Sequence, residues 1–332
     1  MYEQIMLAAL LQNDPAANGR EDIGAELSRC RAIEAAAERL HCFDALAGRS
    51  TAPAPPATSP MVAAGSQPPT PPNLLVPAER WGFMAERSTF KLTPYKLNYI
   101  LPFSYNDSQN DTAWQQQHPG EGLDEVEVKF QLSAQIKAWD NIFQGNGDLW
   151  LAYSQLSFWQ AYDSGGSSPF RESNYEPEAY VAWTMDRKLA GLTGRLLKIG
   201  FVHQSNGRSE PLSRSWNRIY AAVAMERGNF ALQIKPWYRL PQEKDNPDIA
   251  DYLGYGEVDL YYTAGQHLFH ALWRNNLDLG GNRGAIQLDW GFPIYKGLKG
   301  YVQYFNGYGE SLLDYNESGN RIGFGFMLTD WL

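Results

Sequence analysis

The stretch that decides the fold runs from Val126 to Ala138 and reads VEVKFQLSAQIKA. Val126, Val128, Phe130, Leu132, Ala134, Ile136 and Ala138 share one parity. Glu127, Lys129, Gln131, Ser133, Gln135 and Lys137 share the other. A period of two predicts a β-strand with one apolar and one polar face. The alternation outlasts the roughly 9–11 residues that a tilted strand needs to cross a bilayer. Phe230, Leu232, Ile234, Pro236, Tyr238 and Leu240 repeat it against Gln233, Lys235 and Arg239.

Working outward, further strands are predicted near 90–106, 148–162, 176–186, 195–205 and 216–227, and again near 256–264, 267–275, 284–294, 298–307 and 321–332. That makes twelve, an even number, as a closed antiparallel barrel requires of strands that start and finish at one end. The connections alternate in character. Long polar loops are expected at 107–125, 163–175, 206–215 and 241–255, with tight turns such as Arg227-Gly228-Asn229 and Ala264-Gly265-Gln266 between them. Long loops at one end and short turns at the other mark an outer-membrane barrel, whereas a soluble sandwich or propeller gives no reason for the alternation. In the last strand Ile322, Phe324, Phe326, Leu328 and Leu332 share a face, so it is expected to close the barrel against the first. Both termini then lie in the periplasm and the long loops outside.

Composition agrees. The 332 residues include 11 Trp, 19 Tyr, 15 Phe and 30 Gly, yet mean hydropathy is −0.44. No run of about 18 apolar residues exists, which excludes a helical membrane protein. A net charge of −9 argues against nucleic acid as a main partner. The predicted fold class is all-β, a 12-stranded antiparallel transmembrane β-barrel with a small helical N-terminal appendage.

That appendage covers 1–50. Residues 20–48 are rich in Ala, Glu, Leu and Arg and read as helical. Residues 51–77 hold nine of the chain's 20 prolines and read as a linker, so the barrel domain is expected over 78–332. Cys30 and Cys42 are the two cysteines. In one continuous helix they would lie about 18 Å apart, while a helical hairpin could join them, so the pairing stays open. The start, MYEQIMLAALLQNDP, lacks a basic n-region, which predicts that a secretory signal was removed or lies upstream of this Met.

One strand end draws attention. Leu197, Ile199 and Phe201 share a parity that His203 and Ser205 continue, while Lys198 and Gly200 take the lumen parity. On the next strand Asn217 continues the parity of Ile219, Ala221 and Val223. His203, Ser205 and Asn217 are therefore expected together on the lipid-facing exterior, where polar groups are costly. A serine hydroxyl becomes a nucleophile when a histidine takes its proton, and a third group fixes the imidazole tautomer. Asn can do this without the desolvation cost of a carboxylate. The G-x-S-x-G elbow is absent. A strand-end His-x-Ser is, taken alone, most often a rim hydrogen-bonding pair. Asp245, Asp248 and Asp251 lack calcium-loop spacing and read as a solvated loop. His267 and His270 are too isolated to suggest a metal.

HxSNGRSxPxSRSWNR, here His203 to Arg218, resembles the signature of the outer-membrane phospholipase A family. SSPFRESNYEP at 167–177, KPWYRLP at 235–241, DNPDIADYLGYGE at 245–257 and GYGESLLDYN at 307–316 are similar too. The resemblance runs from Glu79 to Leu332 and leaves out 1–77. It implies a calcium-dependent outer-membrane phospholipase with A1, A2 and lysophospholipase activity, acting on membrane phospholipids. Ser205 would be the nucleophile, His203 the general base, Asn217 the orienter, and the Gly207 N–H an oxyanion donor. Ca2+ would be held by the Arg208 carbonyl, the Ser213 hydroxyl and Ser167 of a second copy. Gln155, which shares a parity with Leu149, Leu151, Tyr153 and Trp159, would meet its copy in a homodimer that is the active form. The chain would be integral to the outer membrane with its appendage periplasmic. The alternative from another class is a non-enzymatic barrel, a porin or structural protein.

Overall fold

Alternation extends through the chain into one continuous antiparallel sheet. Its strands are β1 (Leu92–Pro94), β2 (Tyr99–Asn106), β3 (Val126–Trp139), β4 (Asp148–Trp159), β5 (Phe170–Leu189) and β6 (Leu192–Ser205), then β7 (Ser215–Arg227), β8 (Phe230–Arg239), β9 (Gly256–Ala264), β10 (His267–Asn275), β11 (Gly284–Tyr295), β12 (Leu298–Tyr308) and β13 (Ser318–Met327). The computed structural model describes residues 25–46, 89–116, 118–120, 122–143, 146–165, 168–241, 246–295 and 298–328. Each strand from β2 to β13 pairs with its neighbours in chain order, and β13 pairs back onto β2. The result is a closed barrel of twelve staves. Closure satisfies every strand edge inside the sheet, which is what lets strands stand in hydrocarbon.

The barrel is inside out relative to a soluble protein. In β3, Glu127, Lys129, Ser133 and Gln135 are buried while Leu132 is exposed. The interior charges are paired across the lumen. Arg171 bonds Glu127 at 3.0 Å and Asp314 at 2.8 Å. Arg321 bonds Glu127 at 2.8 Å and Glu310 at 2.7 Å, and Lys129 reaches Glu310 at 2.8 Å. His270 sits between Asp259 at 3.0 Å and Asp289 at 2.6 Å. Removing one member of such a buried set costs roughly 3–5 kcal/mol, because it strands its partner. A cavity of about 440 Å³ remains in the lumen beside Lys96, Glu176, Lys198, Lys235 and His270.

Long connections occupy one end and tight ones the other. The long ones include 107–125, carrying α3 (Asp111–Gln115), and 240–255, carrying α4 (Ile249–Leu253). Gly265, at φ +58°, begins a two-residue turn in a conformation open to glycine at little cost. The 309–317 connection folds over the lumen. Its Leu312 and Leu313 are buried, with backbone N–H groups bonded to Asn174 Oδ1 at 2.9 Å and Glu172 Oε1 at 3.2 Å. Glu310 lies in this connection. Burial opposes its charge, but Arg321 and Lys129 outweigh that and hold its carboxyl at about 2.

Strand bounds differ from expectation by the most residues in three staves. The first stave is not continuous over 90–106. It breaks after Pro94, and residues 95–98 step inward, where Tyr95 bonds Glu178 at 2.7 Å and Lys96 bonds Glu176 at 2.6 Å. Asn98 stands in for a strand residue there, taking the Ser133 N–H at 2.6 Å and donating to the Ser133 carbonyl at 3.0 Å. β5 begins at Phe170 rather than 176, since Arg171, Glu172 and Asn174 are buried partners in the lumen and not loop charges. The final strand covers Ser318–Met327, and Leu332 lies outside the described residues.

The chain divides into two compact units, Met1–Pro69 and Thr70–Leu332. In the first, helix α1 (25–31) and helix α2 (Ala36–Leu46) form a hairpin closed by a Cys30–Cys42 disulfide, with Cα atoms 5.5 Å apart. The turn at 32–35 resolves the open pairing, because it breaks the helix that would have kept the thiols apart. The 51–77 linker lies outside the described residues.

Candidate active site on the barrel exterior

The inward faces of β6 and β7 fix which way the outward ones point. Val202 and Trp216 are fully buried in the lumen. Trp216 Nε1 donates to Gln204 Oε1 at 2.7 Å, Arg218 donates to the same oxygen at 3.2 Å, and the Arg218 guanidinium lies 3.9 Å from the Trp216 ring centroid. A one-residue slip would expel this cluster into lipid, so the register is strongly specified. The opposite parity then carries His203, Ser205 and Asn217 outward beside Ile199, Phe201 and Ile219, which are exposed.

His203 and Asn217 are direct cross-strand partners, and His203 Nδ1 lies 2.8 Å from Asn217 Oδ1. An amide oxygen can only accept, so Nδ1 carries the hydrogen and Nε2 presents its lone pair. Ser205 is two residues further along the same face and ends β6, opposite Tyr175 of β5 and Ser215 of β7.

The chain turns at once after Ser205. Asn206 is buried and ties the loop to itself, its Nδ2 donating to the Leu212 carbonyl at 2.8 Å. Its Oδ1 accepts from the backbone N–H of Arg208 at 3.3 Å and of Arg214 at 3.0 Å. Gly207 has φ +65°, and a Cβ there would stand 3.2 Å from Tyr175 Cε2, so both conformation and space favour glycine. Among the described residues the Gly207 N–H donates to none, and none donates to the Arg208 carbonyl. These are one free donor and one free acceptor beside the serine.

Arg208 itself turns toward β5. Its Nε donates to Glu172 Oε2 at 3.2 Å and its NH2 group to the Phe170 carbonyl at 3.2 Å and to the Arg171 carbonyl. Leu212 anchors the far side of the loop against Leu313, and the Ser213 carbonyl takes a bond from Arg214 at 2.7 Å. Ser167 lies outside the described residues. Among the described residues, no group of three His, Cys, Asp or Glu side chains could hold a metal. The expected donors are instead neutral oxygens, a chemistry that calcium accepts.

Gln155 is on the exterior parity of β4, with Leu151 and Tyr153 exposed beside it and Ser154 buried behind. It lies at the height of the serine, since Gln155 pairs with Tyr175 and Tyr175 with Ser205. Its Nε2 donates to Ser157 Oγ at 3.0 Å, and Ser157 meets Ser173 at 2.9 Å. His203, Asn217 and Ser205 are thus brought to one face beside Gly207 and Arg208, with Gln155 two staves away. Sequence reasoning missed Asn206, Glu172 and Tyr175. Asn206 carried a signal, an Asn directly before a Gly at a strand end. Glu172 carried none, because its partner is 36 positions away.

Residues 80–328 match the family described as Phospholipase A1. The phospholipase A1 of Klebsiella pneumoniae is 41% identical over 241 residues, covering 73% of this chain and 83% of that protein. That of Escherichia coli K12 is 41% identical over 241 residues, 73% of this chain and 82% of its own length. Among solved structures, the outer membrane phospholipase A of Escherichia coli aligns with TM-score 0.69 at 40% identity, over 73% of this chain and 100% of that one. The outer membrane phospholipase of Salmonella typhi, described as a dimer with bound calcium, aligns with TM-score 0.70 at 37% identity, over 76% of this chain and 96% of that one.

Proposed function

The chain belongs to the phospholipase A1 family, an outer-membrane phospholipase, and from that premise we propose that it hydrolyses acyl esters of phospholipids at a Ser205-His203-Asn217 site on its lipid-facing wall, as a calcium-dependent homodimer. The observation that carries the reading is the 2.8 Å His203–Asn217 bond on the same exterior face as Ser205. Ser205 Oγ attacks the ester carbonyl while His203 Nε2 takes its proton. The Gly207 N–H stabilises the oxyanion. Collapse expels the glycerol-side alkoxide, which His203 protonates, and leaves an acyl-serine. His203 then deprotonates a water that attacks the acyl carbon, releasing the fatty acid and regenerating Ser205. Asn217 keeps the imidazole in the tautomer this needs. Phospholipid A1, A2 and lysophospholipid esters share this chemistry, and an exterior site reaches them by lateral diffusion in the bilayer.

Calcium fits the donors present, neutral oxygens with an unengaged carbonyl at Arg208. The Arg208 carbonyl and Ser213 hydroxyl would hold it, with Ser167 supplied by a second copy. When bound, Ca2+ supplies positive charge near the developing oxyanion. The calcium-bound dimer of the Salmonella typhi relative supports this reading. Gln155 would meet its own copy across the two-fold, since a neutral amide at membrane depth gains most from another amide. Residues 1–50 would be a periplasmic appendage, 51–77 a linker and 78–332 the phospholipase domain. The Cys30–Cys42 disulfide suits such an oxidising compartment. The test is phospholipid hydrolysis by purified protein with and without a calcium chelator, for the wild type and Ser205→Ala. Loss in both the chelated and the substituted samples is expected. Full calcium-dependent activity in Ser205→Ala would overturn the mechanism.

A further inference from the structure

The 206–214 loop carries both groups that the proposed chemistry needs beyond the triad, the Gly207 N–H and the Arg208 carbonyl. Loops of this kind move unless something outside them holds them. Asn206 closes the loop on itself but does not fix it to the barrel. Leu212 holds the far side against Leu313, and the contact that fixes the Gly207–Arg208 end to the barrel is made by Arg208. β6 ends at Ser205, paired with Tyr175, so residues 170–174 of β5 run past the end of β6 with one edge unpaired. The register shift between Phe158 and Trp159 leaves Arg171 without a partner on β4, a bulge in the same place. The Arg208 guanidinium covers this edge, donating to the carbonyls of Phe170 and Arg171 and to the Glu172 carboxylate.

Glu172 is itself immobilised. It is fully buried, and its other oxygen accepts from Asn174 Nδ2 at 2.7 Å and from the Leu313 N–H at 3.2 Å. The planar fork of arginine meets three fixed acceptors from two separate nitrogens, a span that the single nitrogen of a lysine lacks. With its side chain held on β5 and its N–H held by Asn206 Oδ1, Arg208 has little freedom left in its carbonyl. Tyr175 lies on the other side of Gly207, close enough that a Cβ there would stand 3.2 Å from its Cε2.

We propose that Glu172 and Arg208 form a positioning latch that holds the Arg208 carbonyl and the Gly207 N–H in place for metal and oxyanion. Glu172 touches neither substrate nor metal and acts through Arg208. The inference rests on the roles proposed above for Arg208 and Gly207. Its consequence is that a buried carboxylate governs calcium affinity without ligating calcium.

The experiment uses the full chain in detergent micelles, with Glu172→Gln and Arg208→Lys beside the wild type. Calcium binding is followed by titration calorimetry without substrate, and kcat and KM are measured at saturating calcium. Both variants are expected to bind Ca2+ roughly tenfold to a hundredfold more weakly, the effect typical of groups that orient a ligand. They should also lose kcat with KM unchanged. A merely structural Glu172 would shift the unfolding midpoint but leave calcium affinity and kcat of the folded fraction intact, and that result overturns the latch. If Glu172→Gln fails to fold, Arg208→Lys decides alone, since it keeps the charge beside Glu172 and loses only the fork. A wild type that binds no calcium overturns the metal reading instead, and the latch is then judged on kcat, where no change overturns it.

Discussion

Along β4 to β7 the lipid-facing parity carries Gln155, Ser157, Ser173, His203, Ser205 and Asn217, whereas along β9 to β11 the same parity carries Leu260, Phe269, Trp273, Leu288 and Trp290. The two walls have the same strand geometry and face the same solvent. On the second wall these five are apolar or aromatic, as hydrocarbon demands, with Asn275 and, on the adjoining β12, Asn306 toward the strand ends, and Phe269 and Trp290 lie parallel with ring centroids 6.4 Å apart. On the first wall, polar groups stand where they cost stability, and they bond one another in pairs, Gln155 with Ser157, Ser157 with Ser173 and His203 with Asn217. No charged side chain shares that parity in β6 or β7 near the site, since Lys198 and Arg218 point inward and are buried. The candidate site on this wall is thus built from groups that need not ionise.

The comparison breaks most sharply at Ser205. Ser205→Ala should lower phospholipid hydrolysis at least about a thousandfold with unchanged folding, read by fatty-acid release. Asn217→Ala comes next. It frees the imidazole to rotate and change tautomer, and kcat should fall roughly ten- to a hundredfold at constant KM. Transplanting polarity to the other wall gives a smaller effect. Leu288→Asn places an unpartnered amide in lipid and should destabilise the barrel by about 1–3 kcal/mol in a denaturant titration in vesicles. Gln155→Leu should do the reverse in the monomer and weaken the proposed homodimer, measured by crosslinking with and without calcium.

Behind both walls the interior charges are paired, and acid tests them. Glu310 is held at about 2 by Arg321 and Lys129, against roughly 4.3 in an unfolded chain. A depressed carboxyl contributes stability in full above its unfolded value and loses it as pH falls through the folded one. The Glu310 contribution to closing the 309–317 connection should therefore be lost between about pH 4 and pH 2. Hydrogen exchange of the Leu312 and Leu313 amides would report it, and Glu310→Gln should abolish the pH dependence.

The strand count and the outward parity of His203, Ser205 and Asn217 were legible because a period of two runs unbroken from Val126 to Ala138 in β3 and from Leu196 to Ser205 in β6. What was not legible depended on partners distant in sequence. Arg171 and Glu172 read as loop because charge normally means solvent, but Glu127 and Asp314, 44 and 143 positions away from Arg171, make them interior. The break at 95–98 was hidden for the same reason, since Asn98 replaces a backbone pairing that only the fold supplies. The disulfide needed the turn at 32–35, which an Ala-rich helical composition conceals.

Closure of the ring ties the first stave to the last. Arg321 of β13 bonds Ser104 of β2 at 3.0 Å, across 217 positions of sequence. Contacts of such span form late, because the entropy of closing the intervening chain is lost before the contact returns anything. No partial product of synthesis can therefore hold a finished barrel. Every stave up to β12 presents an open edge until residues 318–327 arrive, and such an edge invites pairing with other chains. Pairing of β13 with β2 is thus the step that finishes the lipid-facing wall, and until then the surface that carries Ser205 stands on an open sheet.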